Sequence, residues 1–338
     1  MDGAIIEEER LIPVDKIISA ACKNYMAFDG LHRFEFKDGI NTIIGGNASG
    51  KTSLVWMILQ ALSINDSHER IRSWNPYRNG RRTSLIELKF LAGGKEHYIR
   101  RVMQDHDHTT DIHLYVGNQE PREFYRDHDA IRYLKTLEPV FVVDGLEASR
   151  ESFYVWKRNN KSYSYNSKNQ SGNLISQMNE YISTLNESLK GILLQGNEVV
   201  CEYKDGRILP LTHLSGGNAR AIFVIGKILS IINMIEEEGK SKVILVDEIE
   251  LGLDKKIMKK IYHTIKEIAN NHGYQFFVTS RFGIGRINPL RVNRFSVPVI
   301  YRRERTQKQI FGNPPFFSVK STTNKFRNIQ WGNSKWKP

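Results

Sequence analysis

Three short segments of the sequence combine residue types that could bind and cleave a nucleotide phosphate. The first, GGNASGKT, follows an apolar run from Ile40 to Ile44 and precedes a helical pattern from Lys51 to Leu62. Small residues let the backbone curl so that successive N–H groups and the helix N-terminus face a phosphate. The segment fits G-x-x-x-x-G-K-[ST] in the strand-loop-helix context that this pattern requires, so it predicts a phosphate-binding loop.

The loop residues have different expected roles. Lys51 would reach the β- and γ-phosphates of ATP, and the Thr52 hydroxyl would hold Mg²⁺. The predicted nucleotide-binding residues of this segment are Gly45, Gly46, Asn47, Ala48, Ser49, Gly50, Lys51, Thr52 and Ser53.

The second segment, VILVDEIELGLD, begins with an apolar strand from Val243 to Val246 and continues with Asp247 and Glu248. Carboxylates at the C-terminal end of a buried parallel strand lie where α/β sheets bind ligands. Asp247 suits Mg²⁺ and Glu248 suits activation of the attacking water, so Glu248, Asp247 and Lys51 are the predicted catalytic residues. An acidic turn would be the commoner explanation if no phosphate loop preceded it.

The third segment is LSGGN, in which Ser215, Gly216 and Gly217 precede a long apolar helical stretch. The Ser hydroxyl and the glycine N–H groups would cap the helix and direct its positive end at an anion. Alone the tetrapeptide is a weak signal. Its place shortly before the acidic strand makes it more specific.

The ordered set GGNASGKT, LSGGN, VILVDE and Gly252-Leu253-Asp254 resembles the ABC-type ATPases. The chain is similar to their branch with SMC proteins, RecF and related repair and defence ATPases, because IELKFLAGGKEHYIRRV resembles that branch's strand, glycine turn and strand. The resemblance implies an α/β fold of the P-loop NTPase class and the ABC-ATPase head type. We expect a mixed sheet flanked by helices, with a short helical lid.

The resemblance also implies a mechanism in which two copies enclose two ATP molecules, each with Mg²⁺. Each site would join the phosphate loop, Asp247 and Glu248 of one subunit to Ser215 and Gly217 of the other, and Asp254 would face the partner subunit. A homodimer or higher homo-oligomer is therefore expected.

Two residues depart from the family pattern. After the strand GYQFFVTS the family places a phosphate-sensing His, and this sequence has Arg281. Arginine can stabilise phosphoryl charge but cannot act as a neutral acceptor, so hydrolysis is expected to be slow or differently controlled. At the strand end EPVFVVDGLEA the family uses Gln and this chain has Asp144, a candidate for Mg²⁺ or water. A solvated strand-end Asp is an equally good explanation.

We divide the chain at the changes in pattern. Residues 1–145 form the N-terminal half of the head, and residues 146–213 form a short lid with one amphipathic run from Leu174 to Leu194. Residues 214–311 form the C-terminal half with a final strand in VNRFSVPVIYRRE, and residues 312–338 form a basic aromatic tail.

The formal charge of +12 is concentrated at the C-terminal end. Residues 281–338 contain 13 basic side chains and one acidic one, while the first 280 residues balance to zero. Basic residues with regularly spaced aromatics suit contact with a nucleic acid. They equally suit docking on an acidic partner protein, and a partly disordered tail is a third possibility.

Other classes of protein are disfavoured. No run of about 18 apolar residues is present and the N-terminus is acidic, so neither a membrane span nor a signal peptide is expected and the predicted location is cytoplasmic. Two cysteines are too few for a disulfide framework. The histidine-rich segment DHDHTTDIH is more typical of a solvated loop than of a metal site and stays unassigned.

The predicted function is an ATP-hydrolysing ATPase that dimerises around ATP and acts on or in response to DNA, in repair, recombination or anti-phage defence. The alternative is an ATP-dependent sensor or scaffold that holds a separate effector protein such as a nuclease.

Overall fold

The computed structural model describes residues 11–62, 83–104, 110–118, 122–138, 140–144, 168–195, 198–282 and 290–291. The strands are β1 (Val14–Tyr25), β2 (Phe28–Glu35), β3 (Ile40–Ile44), β4 (Thr83–Ala92), β5 (Lys95–Gln104), β6 (Thr110–Val116), β7 (Glu123–Arg126), β8 (Phe141–Asp144), β9 (Leu189–Gln195), β10 (Glu198–Tyr203), β11 (Ile208–Pro210), β12 (Val243–Asp247), β13 (Gln275–Ser280) and β14 (Leu290–Arg291). The α-helices are α1 (Lys51–Leu62), α2 (His128–Leu134), α3 (Lys168–Leu185), α4 (Gly216–Glu238) and α5 (Lys255–His272).

A parallel sheet of five strands, in the order β14-β3-β13-β12-β8, carries the phosphate loop and the acidic strand. Its central strands are buried along their whole length, as expected for a parallel sheet that is covered on both faces. In β12, Val243 and Leu245 belong to one hydrophobic core, whereas Ile244 and Val246 belong to the other. Successive side chains of β12 therefore pack into two different cores.

The first core lies between this sheet, α1 and an antiparallel sheet of six strands in the order β2-β1-β4-β5-β6-β7. The second core contains α3, α4 and α5 together with an antiparallel sheet of three strands in the order β11-β10-β9. Helix α4 is apolar on nearly all sides because it is buried, whereas α5 places Ile261 and Ile265 inward and lysines outward.

Two buried polar side chains connect the parallel sheet to β1. Gln275 accepts a hydrogen bond from Ile17 N at 2.7 Å and donates to the carbonyl oxygens of Ile17 and Lys37 at 2.8 and 3.0 Å. Ser241 accepts from Val14 N at 2.9 Å and donates to the carbonyl oxygen of Glu138 at 3.0 Å. Each side chain therefore joins backbone groups of two segments that are distant in the chain.

The predicted fold class is confirmed, with one local correction. The amphipathic run expected from Leu174 to Leu194 is not one helix, because α3 ends at Leu185 and β9 begins at Leu189. Asn186 makes the turn, since its side chain accepts from Ser188 N at 2.9 Å and its carbonyl accepts from Leu189 N at 3.1 Å. The three-stranded sheet in this region was not predicted.

The predicted final strand in VNRFSVPVIYRRE and the basic tail lie outside the described residues. Among the helices that the structure describes, none is both long and apolar enough to cross a membrane.

Candidate nucleotide site

The predicted phosphate loop connects β3 to α1 without an intervening element. Gly50 adopts φ +106°, and a Cβ atom there would lie 2.9 Å from the ring of Phe28. Both the positive φ and the close approach of the Phe28 ring therefore require glycine at this position. The carbonyl of Gly50 then accepts the first helical hydrogen bond from Leu54 N at 3.0 Å, so the loop leads straight into the helix N-terminus.

Lys51 closes the loop on itself. Its Nζ donates to the carbonyl oxygens of Gly45 and Gly46, both at 2.9 Å, and the residue is 7% exposed. Burial lowers the pKa of the Lys51 ammonium, and the negative charge of Glu250 opposes that shift. The ammonium is thus held where a phosphate group on this loop would meet it.

Asp247, at the end of β12, and Glu248, the next residue, are both held by a hydroxyl of the neighbouring strand. The hydroxyl of Thr279, a fully buried residue of β13, donates to Asp247 Oδ1 and accepts a hydrogen bond from Glu248 N at 2.7 Å. One hydroxyl therefore fixes both the carboxylate of Asp247 and the backbone of Glu248. Sequence reasoning missed Thr279, because nothing in the segment GYQFFVTS shows which residue faces β12.

Glu248 has φ 52°, in the left-handed region that a non-glycine residue rarely adopts. The chain turns sharply at this residue, and Ile249 N then donates to the carbonyl of Thr279 at 3.3 Å. Such a conformation costs about 1–3 kcal/mol and persists only where neighbouring contacts impose it. At the C-terminal end of a parallel strand, it moves the Glu248 side chain out of the strand's alternation.

A third carboxylate, Glu250, belongs to the same segment and was not predicted. It is 7% exposed, and its Oε1 accepts a hydrogen bond from Arg281 N at 2.9 Å. Arg281 Nε lies 3.5 Å from the same oxygen. The charge of Glu250 influences the pKa of Lys51, as do the charges of Asp247, Glu248 and Arg281. The loop and both strand ends therefore form one electrostatic site. The available signal was a third acidic residue in VILVDEIELGLD.

For Asp144 the structure gives the position of the backbone, and for Asp254 it gives the hydrogen bonds of the side chain. Asp144 ends β8 and pairs in register with Asp247 of β12, so its backbone lies at the predicted edge of the sheet. Asp254 caps α5, because its side chain accepts from Lys256 N at 2.7 Å and from Ile257 N at 2.8 Å. A helix cap is therefore a sufficient structural reason for this aspartate.

The LSGGN segment begins α4 as predicted, with Ser215 at the N-cap position. The expected cap by the Ser215 hydroxyl does not form, because Ser215 Oγ accepts from Asn218 Nδ2 at 3.0 Å instead. Ser215 and Gly216 are exposed. In this described part of the chain, Gly217 approaches Gly252 and Ile257 of its own subunit, and the phosphate loop is not among these neighbours.

Two oxygen donors of the site fit Mg²⁺. Thr52 is the second residue of α1, and the buried Asp247, whose charge influences the pKa of Lys51, is the last residue of β12. Hydroxyl and carboxylate oxygens are the ligands that this hard cation prefers, with water and phosphate oxygens completing its shell. The described residues contain no group of three or more His, Cys, Asp or Glu side chains that could hold a metal ion. Two of the three histidines in DHDHTTDIH, His106 and His108, lie outside them.

Comparisons with known proteins show the family and the fold to which the chain is similar. A family model described as AAA domain matches residues 21–273. The DNA double-strand break repair Rad50 ATPase of Nanoarchaeum equitans (strain Kin4-M) is 29% identical over 130 residues, which are 38% of this chain and 16% of the relative. The aligned segment is thus a small part of that relative's length.

Solved structures resemble the fold over most of the chain. The SMC head domain from Thermotoga maritima superposes with a TM-score of 0.52 at 16% identity and covers 78% of this chain and 89% of its own. An SmcHead bound to the C-winged helix domain of ScpA superposes with a TM-score of 0.54 at 17% identity, over 79% and 90% of the two chains. At such identities the likeness concerns the fold alone.

Proposed function

The chain belongs to the AAA domain family as an SMC/Rad50-like ABC-type ATPase, and on this premise we propose that it binds ATP with Mg²⁺, dimerises around the nucleotide and hydrolyses it in work on DNA. The observation that carries the proposal is the convergence of Lys51, the Asp247–Thr279–Glu248 hydrogen bonds and Arg281 at one edge of the parallel sheet.

The loop would receive the phosphates of ATP. When they bind, the Lys51 ammonium exchanges the carbonyl oxygens of Gly45 and Gly46 for phosphate oxygens, which are stronger acceptors because they are charged. The backbone N–H groups from Gly46 to Lys51, together with the α1 N-terminus, add donors. Mg²⁺ held by Thr52 and Asp247 would offset the charge of the phosphates.

Glu248 would orient the attacking water. Its backbone is fixed by Thr279, and its positive φ directs the chain away from β12. A carboxylate in this place can accept a proton from the water as the water oxygen bonds to the γ-phosphorus and the bond to the ADP oxygen breaks. Asp144 would assist Mg²⁺ or water from the neighbouring strand end.

Dimerisation would complete each site. The exposed start of α4 offers backbone N–H groups, and its Ser215 hydroxyl is not used as a cap. The γ-phosphate of a nucleotide on a second copy is a suitable acceptor. Because ADP lacks this group, association should require ATP, and Asp254 would then lie near the partner.

The assembly state tests this proposal. We expect Glu248→Gln to form a dimer with Mg²⁺-ATP and a monomer with ADP in sedimentation or light scattering. Ser215→Arg, which crowds the start of α4, should abolish the dimer while each monomer still binds ATP. Ser188→Arg, at another exposed serine, is the matched control and should dimerise. A Glu248→Gln chain that stays monomeric with ATP would contradict the proposal.

The DNA role is supported by the relative named as a DNA double-strand break repair ATPase and by the basic C-terminal sequence. A full-length variant with the tail lysines and Arg327 replaced by Gln should bind duplex DNA more weakly and with a shallower dependence on salt. Unchanged binding would exclude the tail as the contact.

The second candidate is a sensor or scaffold that holds an effector protein. It is favoured by Arg281, which replaces the expected His and is engaged by Glu250. ATP-driven dimerisation without measurable turnover by the unaltered chain would support this candidate.

A further inference from the structure

Glu250 lies in the nucleotide site, but the proposed function gives it no role. Its Oε1 accepts a hydrogen bond from Arg281 N at 2.9 Å and lies 3.5 Å from Arg281 Nε. The Glu250 side chain is 6% exposed, whereas that of Arg281 is 41% exposed. A single buried oxygen therefore contacts both the backbone and the guanidinium of the first residue after β13.

The other oxygen, Glu250 Oε2, is buried and has no hydrogen-bond partner among the described residues. A buried carboxylate oxygen without a donor is costly, so its retention calls for a reason beyond packing. Among the charged groups, Glu250 has the largest effect on the pKa of Lys51, ahead of those of Asp247 and Glu248. The carboxylate is thus close to the loop cation as well as to Arg281.

Arg281 itself is next to the phosphate loop. Ser280 pairs in register with Ile44 at the end of β3, and Gly45 N donates to the carbonyl of Ser280 at 3.3 Å. The backbone therefore places Arg281 one strand away from the first residue of the loop. Beyond Nε, the guanidinium has two terminal nitrogens that can each donate to a phosphate oxygen.

The Arg281 guanidinium has to be held in one place if it is to act on a phosphate efficiently. An arginine side chain is long and loses substantial rotamer freedom when it is fixed in one place. A guanidinium that is already ordered beside the site stabilises transition-state charge better than one that must be recruited from solvent. The Glu250 contact at Nε orders the side chain and leaves the terminal nitrogens for a ligand.

We propose that Glu250 is a positioning residue, which fixes the Arg281 guanidinium beside the phosphate loop so that it contacts the γ-phosphate of ATP. The inference rests on the proposed function and deepens it. An arginine can then serve where a shorter, stiffer histidine was expected, because a carboxylate from the adjacent strand end holds it.

A double-mutant cycle tests the pairing with full-length Glu250→Gln, Arg281→Ala and the double variant. Glutamine keeps an oxygen that accepts from Arg281 N but removes the charge that orders the guanidinium. We expect each single variant to lower kcat by about 10-fold or more, and the double variant to be no slower than Arg281→Ala alone. Glu187→Gln, at an exposed carboxylate, should turn over ATP as the unaltered chain does.

The ratio of affinities for a non-hydrolysable ATP analogue and for ADP gives a second readout without turnover. The three variants should lose the preference for the triphosphate by a similar factor, with ADP affinity unchanged. If the unaltered chain had no turnover, the proposed hydrolysis would fail, and this affinity cycle would still decide the role of Glu250.

Three results would overturn the proposal. They are unchanged kcat and nucleotide preference in Glu250→Gln, a double variant whose losses are the product of the single losses, and a loss in Glu250→Gln that affects ADP and the ATP analogue equally. The second result would mean that Glu250 acts on Lys51 independently of Arg281.

If Glu250→Gln melts well below the unaltered chain, Arg281→Lys tests the pair from the other side. It keeps the charge without Nε, and it should behave as Arg281→Ala does; normal preference for ATP would again contradict the pairing.

Discussion

The hydroxyl of Thr279 lies 2.7 Å from the backbone nitrogen of Glu248 and donates its own hydrogen to Asp247. The two acidic residues proposed for catalysis are therefore positioned by the strand that separates them from the phosphate-loop strand, since β13 lies between β3 and β12. A displacement of β13 would move the Glu248 backbone and Asp247 relative to the phosphate loop. This relationship makes Thr279 the residue on which the geometry of the acidic pair depends.

Replacing Thr279 by Val keeps the branched shape of a strand residue but removes the hydroxyl. We expect the variant to turn over ATP on the order of 10-fold more slowly, because Glu248 is no longer held. The free energy of unfolding should fall by about 1–3 kcal/mol, since Asp247 and Glu248 N lose a buried partner. Steady-state phosphate release and urea unfolding measure the two effects.

Thr42→Val is the matched control for this change. Thr42 is a buried residue of β3 whose hydroxyl lies 2.9 Å from that of Tyr262, away from the acidic residues. The control should lose stability but retain turnover. Equal losses of turnover in the two variants would show that Thr279 contributes only to packing.

Gly50→Ala should disrupt the loop through both its backbone and its space. Alanine at φ +106° costs about 1–3 kcal/mol, and its Cβ would displace the buried Phe28 ring. We expect a lower free energy of unfolding and weakened binding of a fluorescent ATP analogue. Gly46→Ala, where no atom lies within 4 Å of the new Cβ, should unfold within about 0.5 kcal/mol of the unaltered chain. Equal stability of the two variants would be inconsistent with this loop conformation.

Because His97 is buried, we expect the free energy of unfolding to depend on pH. Its Nδ1 donates to the Lys95 carbonyl at 3.0 Å, its Nε2 accepts from the Tyr133 hydroxyl at 2.9 Å, and its ring stacks on Phe90. Burial lowers the pKa of His97 below its ordinary value of 6.5. Below pH 6.5 the unfolded chain therefore binds more protons than the folded one, and the free energy of unfolding falls with the pH.

The His97→Asn variant checks this assignment by urea unfolding between pH 5 and pH 8. Its free energy of unfolding should fall less steeply below about pH 6.5, by up to roughly 1.4 kcal/mol per pH unit. Part of the slope remains because burial also lowers the pKa of His113. His263→Asn, on the exposed face of α5, should keep the full slope. A slope that is unchanged in His97→Asn would exclude His97 as its source.

The fold class and the phosphate loop could be predicted because their signals are contiguous in the sequence. A strand, a glycine-rich loop and a helix that follow one another between Ile40 and Leu62 determine a local structure by themselves. The same is true of Asp247 and Glu248 after an apolar strand. The strand β9 was hidden because its apolar residues continue the pattern of α3, and only Asn186 marks the turn between them.

The contacts that hold the site could not be predicted, because they join residues that are distant in the chain. Thr279 and Asp247 are 32 positions apart, and Gln275 and Ile17 are 258 positions apart. Which hydroxyl or amide meets which partner depends on the register of strands in the folded sheet. Glu250 was within reach of sequence reasoning, but its pairing with Arg281 required the geometry of two strand ends.

ATP turnover by full-length Glu248→Gln, compared with the unaltered chain and with Glu187→Gln, is the most direct test of the proposed hydrolysis. Glutamine keeps the size of Glu248 but cannot accept a proton from water, so phosphate release should fall by about 100-fold or more while affinity for ATP changes little. Glu187→Gln should match the unaltered chain. Normal phosphate release by Glu248→Gln would contradict the assignment of the catalytic carboxylate.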